Sequence, residues 1–308
     1  MKRRNALAAA LICIAVAGLA AVAAGLGVFA RGDGAFETVT SVRDVTYRMA
    51  TDGVYAYNAE QVVAEGVGWD IFTLFVAVPA LAVAGWFVAG GSLRGRLAAA
   101  GLLGYFLYQY LEYAVTWAFG PLFPLFIAIY AASLAGIVWL GVSLAEEGVP
   151  RRFDERFPRR AFAGLNVSLA VLLALMWAAR IATGLGGDLE AAGLRGETTM
   201  VVQALDLGLV LPTALFVSIL AWRRSPAGYV LAAAYTVTGL AMASAIAGML
   251  LSAWAVTGVL ELPPLLIFGA FILGSAIVTA RIYRSAIPSG RRIGLEVDVR
   301  LTLPAVEA

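Results

Sequence analysis

The sequence contains no histidine, a single lysine (Lys2) and a single cysteine (Cys13). These absences exclude ligation of a metal or haem by imidazole, a disulfide within the chain, and any catalytic pair of histidine and cysteine. They also exclude Schiff-base chemistry at a lysine inside a helical bundle. Charged residues make up only 14% of the chain, whereas 61% of the residues are hydrophobic. A water-soluble domain rarely has this composition, so we expect the chain to lie in a lipid bilayer.

Eight apolar stretches are long enough to cross a membrane as helices. A span needs about 20 residues, because the hydrocarbon core is roughly 30 Å thick and a helix rises ~1.5 Å per residue. Segments of this length must be helical, since every backbone polar group needs a local partner in hydrocarbon. The predicted helices cover residues 6–30, 71–90, 97–119, 122–144, 162–184, 200–222, 229–256 and 264–283. The sequence therefore predicts an all-α integral membrane protein with eight transmembrane helices.

The same pattern divides the chain into six parts. Residues 1–30 form a first transmembrane helix or a signal anchor, and 31–69 form an extracytoplasmic loop with a short helix. Residues 70–145 carry helices 2–4, and 146–161 form a cytoplasmic loop. Residues 162–284 carry helices 5–8, and 285–308 form a cytoplasmic tail.

The N-terminal segment and the first loop each carry a further recognisable sequence pattern. Lys2-Arg3-Arg4 and the apolar run after it are also typical of a signal peptide, but a run of about 25 residues favours an uncleaved helix. In the first loop, Asn58 and Gln61 have the spacing of an N-cap and an N3 residue, which predicts a helix over residues 59–67. Whether this helix covers a pocket as a lid or rests on lipid headgroups is left open by the sequence.

The basic residues predict the orientation of the chain. Seventeen of the 22 lysines and arginines lie in the termini and in the loops on the same side as the termini. Short cytoplasmic loops carry such an excess of positive charge, so both termini are predicted to be cytoplasmic. The expected location is the plasma (inner) membrane of a bacterium, in a multipass arrangement.

The two halves of the sequence resemble each other. The segment from Asp70 to Pro79 in helix 2 resembles the segment from Asp206 to Pro212 in helix 6, and arginines follow both helices. The next helices begin with the same tetrapeptide, at residues 97–100 and 231–234. This spacing suggests two parallel four-helix repeats, related by a pseudo-two-fold axis along the membrane normal. The alternative is chance, because leucine, alanine and proline recur often in so apolar a chain.

Three short motifs resemble those of a family of bacterial multipass membrane proteins of unknown function, with about eight helices. They are Asp70-Ile-Phe-Thr-Leu with Pro79, Gly104-Tyr-Phe-Leu-Tyr108, and Gln203-Ala-Leu-Asp206-Leu-Gly-Leu with Pro212. The resemblance covers roughly helices 2 to 7. It implies an uncharacterised membrane protein and brings no activity with it.

Few ionisable side chains lie inside the predicted helices. Glu112, Asp206 and Arg180 lie roughly 12, 9 and 6 Å below the outer boundary, and Asp70 lies at the outer end of helix 2. Each costs on the order of 2.5–3.5 kcal/mol in a membrane, so each needs a partner or a water-filled cavity. Their similar depth predicts one polar cluster in the outer half of the bundle.

Helical spacing extends this cluster. Tyr105, Tyr108, Gln109 and Glu112 share one face of helix 3, and Gln203 and Asp206 share one face of helix 6. The candidate ligand-binding residues are Asp70, Tyr105, Gln109, Glu112, Arg180, Gln203 and Asp206.

Alternatives to a binding site are an ion pair that only fixes helix packing, and an Arg180 side chain that extends to the headgroups. No metal or other cofactor is predicted, because Arg180 would oppose a cation and no calcium-binding loop is present.

Three classes of function fit these observations. The first is a binding or transport protein with an outward-facing intramembrane pocket for a small molecule or a proton. The second is a sensor or accessory subunit, because residues 293–303 alternate like a β-strand that needs a cytoplasmic partner or a second copy of the chain. The third is an enzyme that acts on a lipid, although the sequence contains no recognisable catalytic motif. The lipid bilayer is the other expected partner, and no nucleic acid is expected.

Overall fold

The computed structural model describes residues 3–146 and 153–286, which form a bundle of eight helices with one β-hairpin. The helices are α1 (Arg3–Phe29), α2 (Glu60–Ala89), α3 (Leu93–Thr116), α4 (Phe123–Glu146), α5 (Arg159–Leu185), α6 (Val201–Trp222), α7 (Pro226–Thr257) and α8 (Leu262–Ser285). Seven of them, all except α3, are long and apolar enough to cross a membrane. The chain is therefore a multipass membrane protein whose membrane-embedded part is helical, as the sequence predicts.

A two-stranded antiparallel sheet occupies the loop between α1 and α2. Strands β1 (Phe36–Thr40) and β2 (Thr46–Ala50) pair with Phe36 opposite Ala50 and Thr40 opposite Thr46. The Ser41 side chain accepts hydrogen bonds from the backbone N–H groups of Arg43 and Val45, and so closes the turn. We did not predict this hairpin. The sequence pattern that indicates it is a pair of segments rich in threonine, valine and aromatic residues on either side of a polar turn.

Helix α2 begins earlier than predicted and includes the short helix expected before it. It is continuous from Glu60, and its N-cap is Ala59, which makes no side-chain capping bond. The Asn58 side chain instead donates to the carbonyls of Tyr55 and Ala56 and accepts from the Ala118 N–H at 2.8 Å. Asn58 therefore ties this loop to the end of α3 rather than capping α2.

Helices α2 and α6 each contain one π-helical turn, at Thr73–Ala77 and at Asp206–Val210. Both turns are followed by a proline, Pro79 or Pro212. A proline ring clashes with the carbonyl four residues earlier, and a widened turn relieves that clash. Proline therefore accounts for the irregular turn in both helices.

The two helices also end alike. After α2, Gly91 adopts a left-handed conformation (φ +75°) and Ser92 is the N-cap of α3. After α6, Arg224 is left-handed (φ +56°) and Ser225 is the N-cap of α7. Three backbone hydrogen bonds close each turn at the same relative positions.

Helix α3 lies at the centre of the bundle. It packs against α2, α4 and α7, and fifteen of its 24 residues are buried. Helix α7 likewise packs against α2, α3, α6 and α8. The helix with most of the polar residues of the bundle interior is therefore largely buried by other helices.

Helix α1 packs against α2 and α4, and the accessibility of its Cys13 side chain tests this packing. Cys13 is fully buried, and a Cβ added at Gly85 of α2 would lie 3.1 Å from the Cys13 Cβ. A maleimide is therefore expected to react with Cys13 only when the protein unfolds. The measurement is the labelled fraction, by mass spectrometry, before and after heating in detergent. Rapid labelling of the unheated protein would contradict this packing.

Two predicted segments lie partly outside the described residues. In the loop between α4 and α5 these are residues 147–152. In the cytoplasmic tail they are the residues beyond 286, which include the strand-like segment 293–303.

Candidate functional site

The candidate site lies at the end of the bundle that carries the hairpin, which we call the hairpin side. Helices α2, α3 and α6 supply its three carboxylates, Asp70, Glu112 and Asp206. Arg43 of the hairpin turn donates a hydrogen bond to the carbonyl of Thr198, at 3.0 Å. The hairpin is thereby held against the α5–α6 loop (residues 186–200) above the site.

Asp70 is fully buried and is held by two tyrosines. The Tyr55 hydroxyl donates to Oδ2, and the Tyr113 hydroxyl lies 3.3 Å from Oδ1 and 3.2 Å from the Gly66 carbonyl. Burial, together with the negative charge of Asp70, raises the pKa of Tyr55 well above its usual value, so this hydroxyl remains a donor. Gly27 of α1 lies directly against this pair, where a side chain would overlap both groups.

A second group of polar side chains surrounds the π-turn of α2. The Thr73 hydroxyl lies 2.6 Å from the Tyr105 hydroxyl, 2.9 Å from Gln109 Oε1 and 2.9 Å from the Trp69 carbonyl. The Thr73 hydroxyl has one hydrogen, so it donates to only one of these oxygens, and between Thr73 and Tyr105 either hydroxyl can be the donor. Gln109 Nε2 is buried and has no hydrogen-bond partner in the described part of the chain.

Glu112 lies on α3, one turn after Tyr108 and Gln109. Its side chain is 6% exposed, and its Oε2 atom has no hydrogen-bond partner among the described residues. The charges that act on it most strongly are the carboxylates of Asp206, Glu65 and Glu197. A carboxylate in this position needs a proton or a cation, because burial and like charges both oppose its negative charge.

Asp206 is held by α3 and α5. Tyr108 donates to its Oδ1 atom, and the Trp177 indole donates to Oδ2 at 2.9 Å. Gln203 is buried on α6, one turn before Asp206. Tyr108 thus bonds to Asp206 and lies one helical turn before Glu112 on α3.

Arg180 does not form an ion pair with Glu112 or Asp206 within residues 3–146 and 153–286. Its Nε donates to the Ala192 carbonyl at 2.7 Å, and its guanidinium lies 5.8 Å from the centre of the Trp177 ring. Arg180 thus connects α5 to the α5–α6 loop. Arg180 therefore bonds to a backbone carbonyl, whereas the sequence also suggested an ion pair with these carboxylates.

A cleft of about 360 Å³ opens beside the hairpin. Its walls come from β2, the start of α2, the α5–α6 loop and the end of α7. The lining residues are Val45, Thr46, Tyr47, Arg48, Glu60, Gln61, Glu190, Arg195 and Thr257. Arg48 forms an ion pair with Glu60 at 2.6 Å.

Several residues of the site were not among those that we predicted. Tyr55 and Trp177 reach it from a loop and from α5, and nothing in their local sequence indicates this. Thr73 and Glu65 could have been found, because they lie on α2 at helical spacing from Asp70 and Trp69.

Within the described ranges, no three histidine, cysteine, aspartate or glutamate side chains are grouped so that they could hold a metal ion.

The chain matches no protein-family model, and searches of curated proteins and of solved structures find no similar protein. The resemblance to a family of multipass membrane proteins stays a prediction.

Proposed function

We propose that this chain is a binding or transport protein with eight transmembrane helices, whose polar site on the hairpin side takes up a proton from outside the membrane. One observation carries the proposal: Glu112 is buried among other carboxylates and has an oxygen without a partner in the described residues. Ionisable residues in this situation mark proton relays in membrane proteins. The hydroxyls around Asp70 and Asp206 extend the set of groups that can exchange protons.

Two further proposals complete this arrangement. We propose that α3 is the eighth span, because its 24 residues rise about 36 Å, enough for a bilayer. Most arginines of the described residues lie toward the side opposite the hairpin, which supports cytoplasmic termini and an outward-facing site in a cell membrane.

The helix packing supports two parallel repeats, α1–α4 and α5–α8. In each half the first helix packs on the second, the second on the third and the third on the fourth. Across the halves α3 packs on α7, α2 on α7 and α3 on α6. The π-turns and the left-handed turns after α2 and α6 correspond as well. Transporters commonly place their site where such repeats meet.

The test is an infrared pH titration of the purified protein in lipid nanodiscs. We expect the wild type to show a protonated carboxyl band that Glu112→Gln removes. Asp206→Asn is expected to shift the titration of this band, because it removes the carboxylate that acts most strongly on Glu112.

Glu37→Gln is the matched control, because Glu37 lies on the exposed face of β1. It is expected to leave the band unchanged. Cys13 protection from maleimide reports whether each variant is folded. A folded Glu112→Gln variant that keeps the complete band would overturn the proposal.

A further inference from the structure

The cleft beside the hairpin is large enough to hold solvent. Its volume of about 360 Å³ corresponds to on the order of ten water molecules at ~30 Å³ each. Arg48, Arg195, Glu60 and Glu190 contribute two positive and two negative side chains to its walls. The cleft therefore suits water and protons better than an apolar molecule.

A bridge of side chains connects this cleft to the interior. Arg195 donates to Gln61 Oε1, and Gln61 Nε2 donates to Glu65 Oε1 at 2.8 Å. Gln61 lines the cleft, and Glu65 lies one turn further along α2, partly buried. Glu65 is thus the first carboxylate beyond the floor of the cleft.

Glu65 is placed between charges from several elements. Arg180 of α5 and Arg195 of the α5–α6 loop act on it, together with Glu261 between α7 and α8. Glu65 in turn acts on Glu112 of α3, and Glu197 of the same loop acts on both carboxylates. Burial opposes a negative charge on Glu65 and the two arginines favour it, whereas all the charges that act on Glu112 are carboxylates.

We infer that the cleft is the outer entrance to the site and that Glu65 passes protons between the cleft water and Glu112. The inference rests on the proposed function. In the inward step, water in the cleft gives a proton to the Glu65 carboxylate, and Glu65 then releases one proton to the Glu112 carboxylate. One O–H bond forms and one breaks at each transfer, and no other bond changes.

The test measures how fast Glu112 follows a sudden change of pH. A caged proton is released by light around the protein in nanodiscs, and the growth of the Glu112 carboxyl band is followed by time-resolved infrared spectroscopy. Glu65→Gln is expected to slow this growth about a hundredfold, in the range known for removal of a positioned proton-transfer group. Glu65→Asp keeps a carboxyl group and is expected to restore most of the rate. Glu37→Gln is again the control and is expected to match the wild type.

Thr257→Trp provides a second variant that leaves Glu65 intact. Thr257 is an exposed residue in the wall of the cleft. A tryptophan there is expected to fill the entrance and to slow the growth of the Glu112 carboxyl band. Wild-type rates in Glu65→Gln or in Thr257→Trp would overturn the inference, as would equal slowing by Glu65→Gln and Glu65→Asp. In all these cases a Glu112 band that titrates at equilibrium leaves the proposed function in place.

Discussion

Replacing Gly101 by alanine is expected to destabilise the bundle by about 3 kcal/mol, the upper end of the usual cost of overpacking. Gly101 is where α3 meets α7, and an added Cβ would overlap the Ala234 carbonyl oxygen and lie 2.7 Å from the Val237 Cβ. The first of these is backbone and cannot rotate away. The measurement is thermal unfolding in detergent, followed by labelling of Cys13.

Gly239 of α7 supplies the control for this substitution. An alanine Cβ there would meet nothing within 4 Å. Gly239→Ala is expected to be neutral or to stabilise the protein by up to ~1 kcal/mol, since alanine favours a helix over glycine. Equal stability of the two alanine variants would contradict the close contact between α3 and α7.

Replacing Asp70 by alanine is expected to cost about 2–4 kcal/mol of folding stability. The Tyr55 hydroxyl would lose its acceptor in a buried position, which costs ~1–3 kcal/mol, and the shorter side chain would leave a small cavity. Tyr113 would lose less, because the Gly66 carbonyl is within its reach. The same thermal measurement gives the value.

Asp70→Asn separates the hydrogen bond from the charge. The asparagine carbonyl oxygen can still accept from Tyr55, so this variant is expected to be more stable than Asp70→Ala. Tyr55→Phe combined with Asp70→Ala is expected to lose less than the two single losses added together, because both remove one interaction. Strict additivity would indicate that the two side chains do not interact.

The membrane-spanning part of this fold could be predicted because bilayer thickness dictates the length of an apolar segment. The prediction for helix 6, residues 200–222, differs by one residue from the observed Val201–Trp222. Helix 2 was predicted from Ile71, but the helix continues outward to Glu60. Hydropathy reports where a helix enters hydrocarbon and is silent about the turns that lie beyond it.

The site was harder to predict because its contacts are between elements far apart in sequence. Depth along the helices suggested one cluster for Glu112 and Asp206, and in the structure both carboxylates act on Tyr108. Depth could not indicate that Arg180 would bond to the Ala192 carbonyl, since the path of the α5–α6 loop is set by tertiary packing. Tyr55 comes from an irregular loop, where no periodicity exists to assign a direction.

The position of α3 has a consequence for how the protein is made. In the proposed arrangement of eight spans, α3 is the least apolar span, so it needs helices beside it when it leaves the insertion machinery, because its carboxylate, amide and hydroxyl groups would otherwise face acyl chains. Helices α2 and α4 are synthesised just before and just after it and can cover two of its sides. The third side is covered by α7, which is synthesised much later. The central helix of the bundle is thus the third to be synthesised and among the last to be fully enclosed, and a chain that stops before α7 would expose it to quality-control proteases.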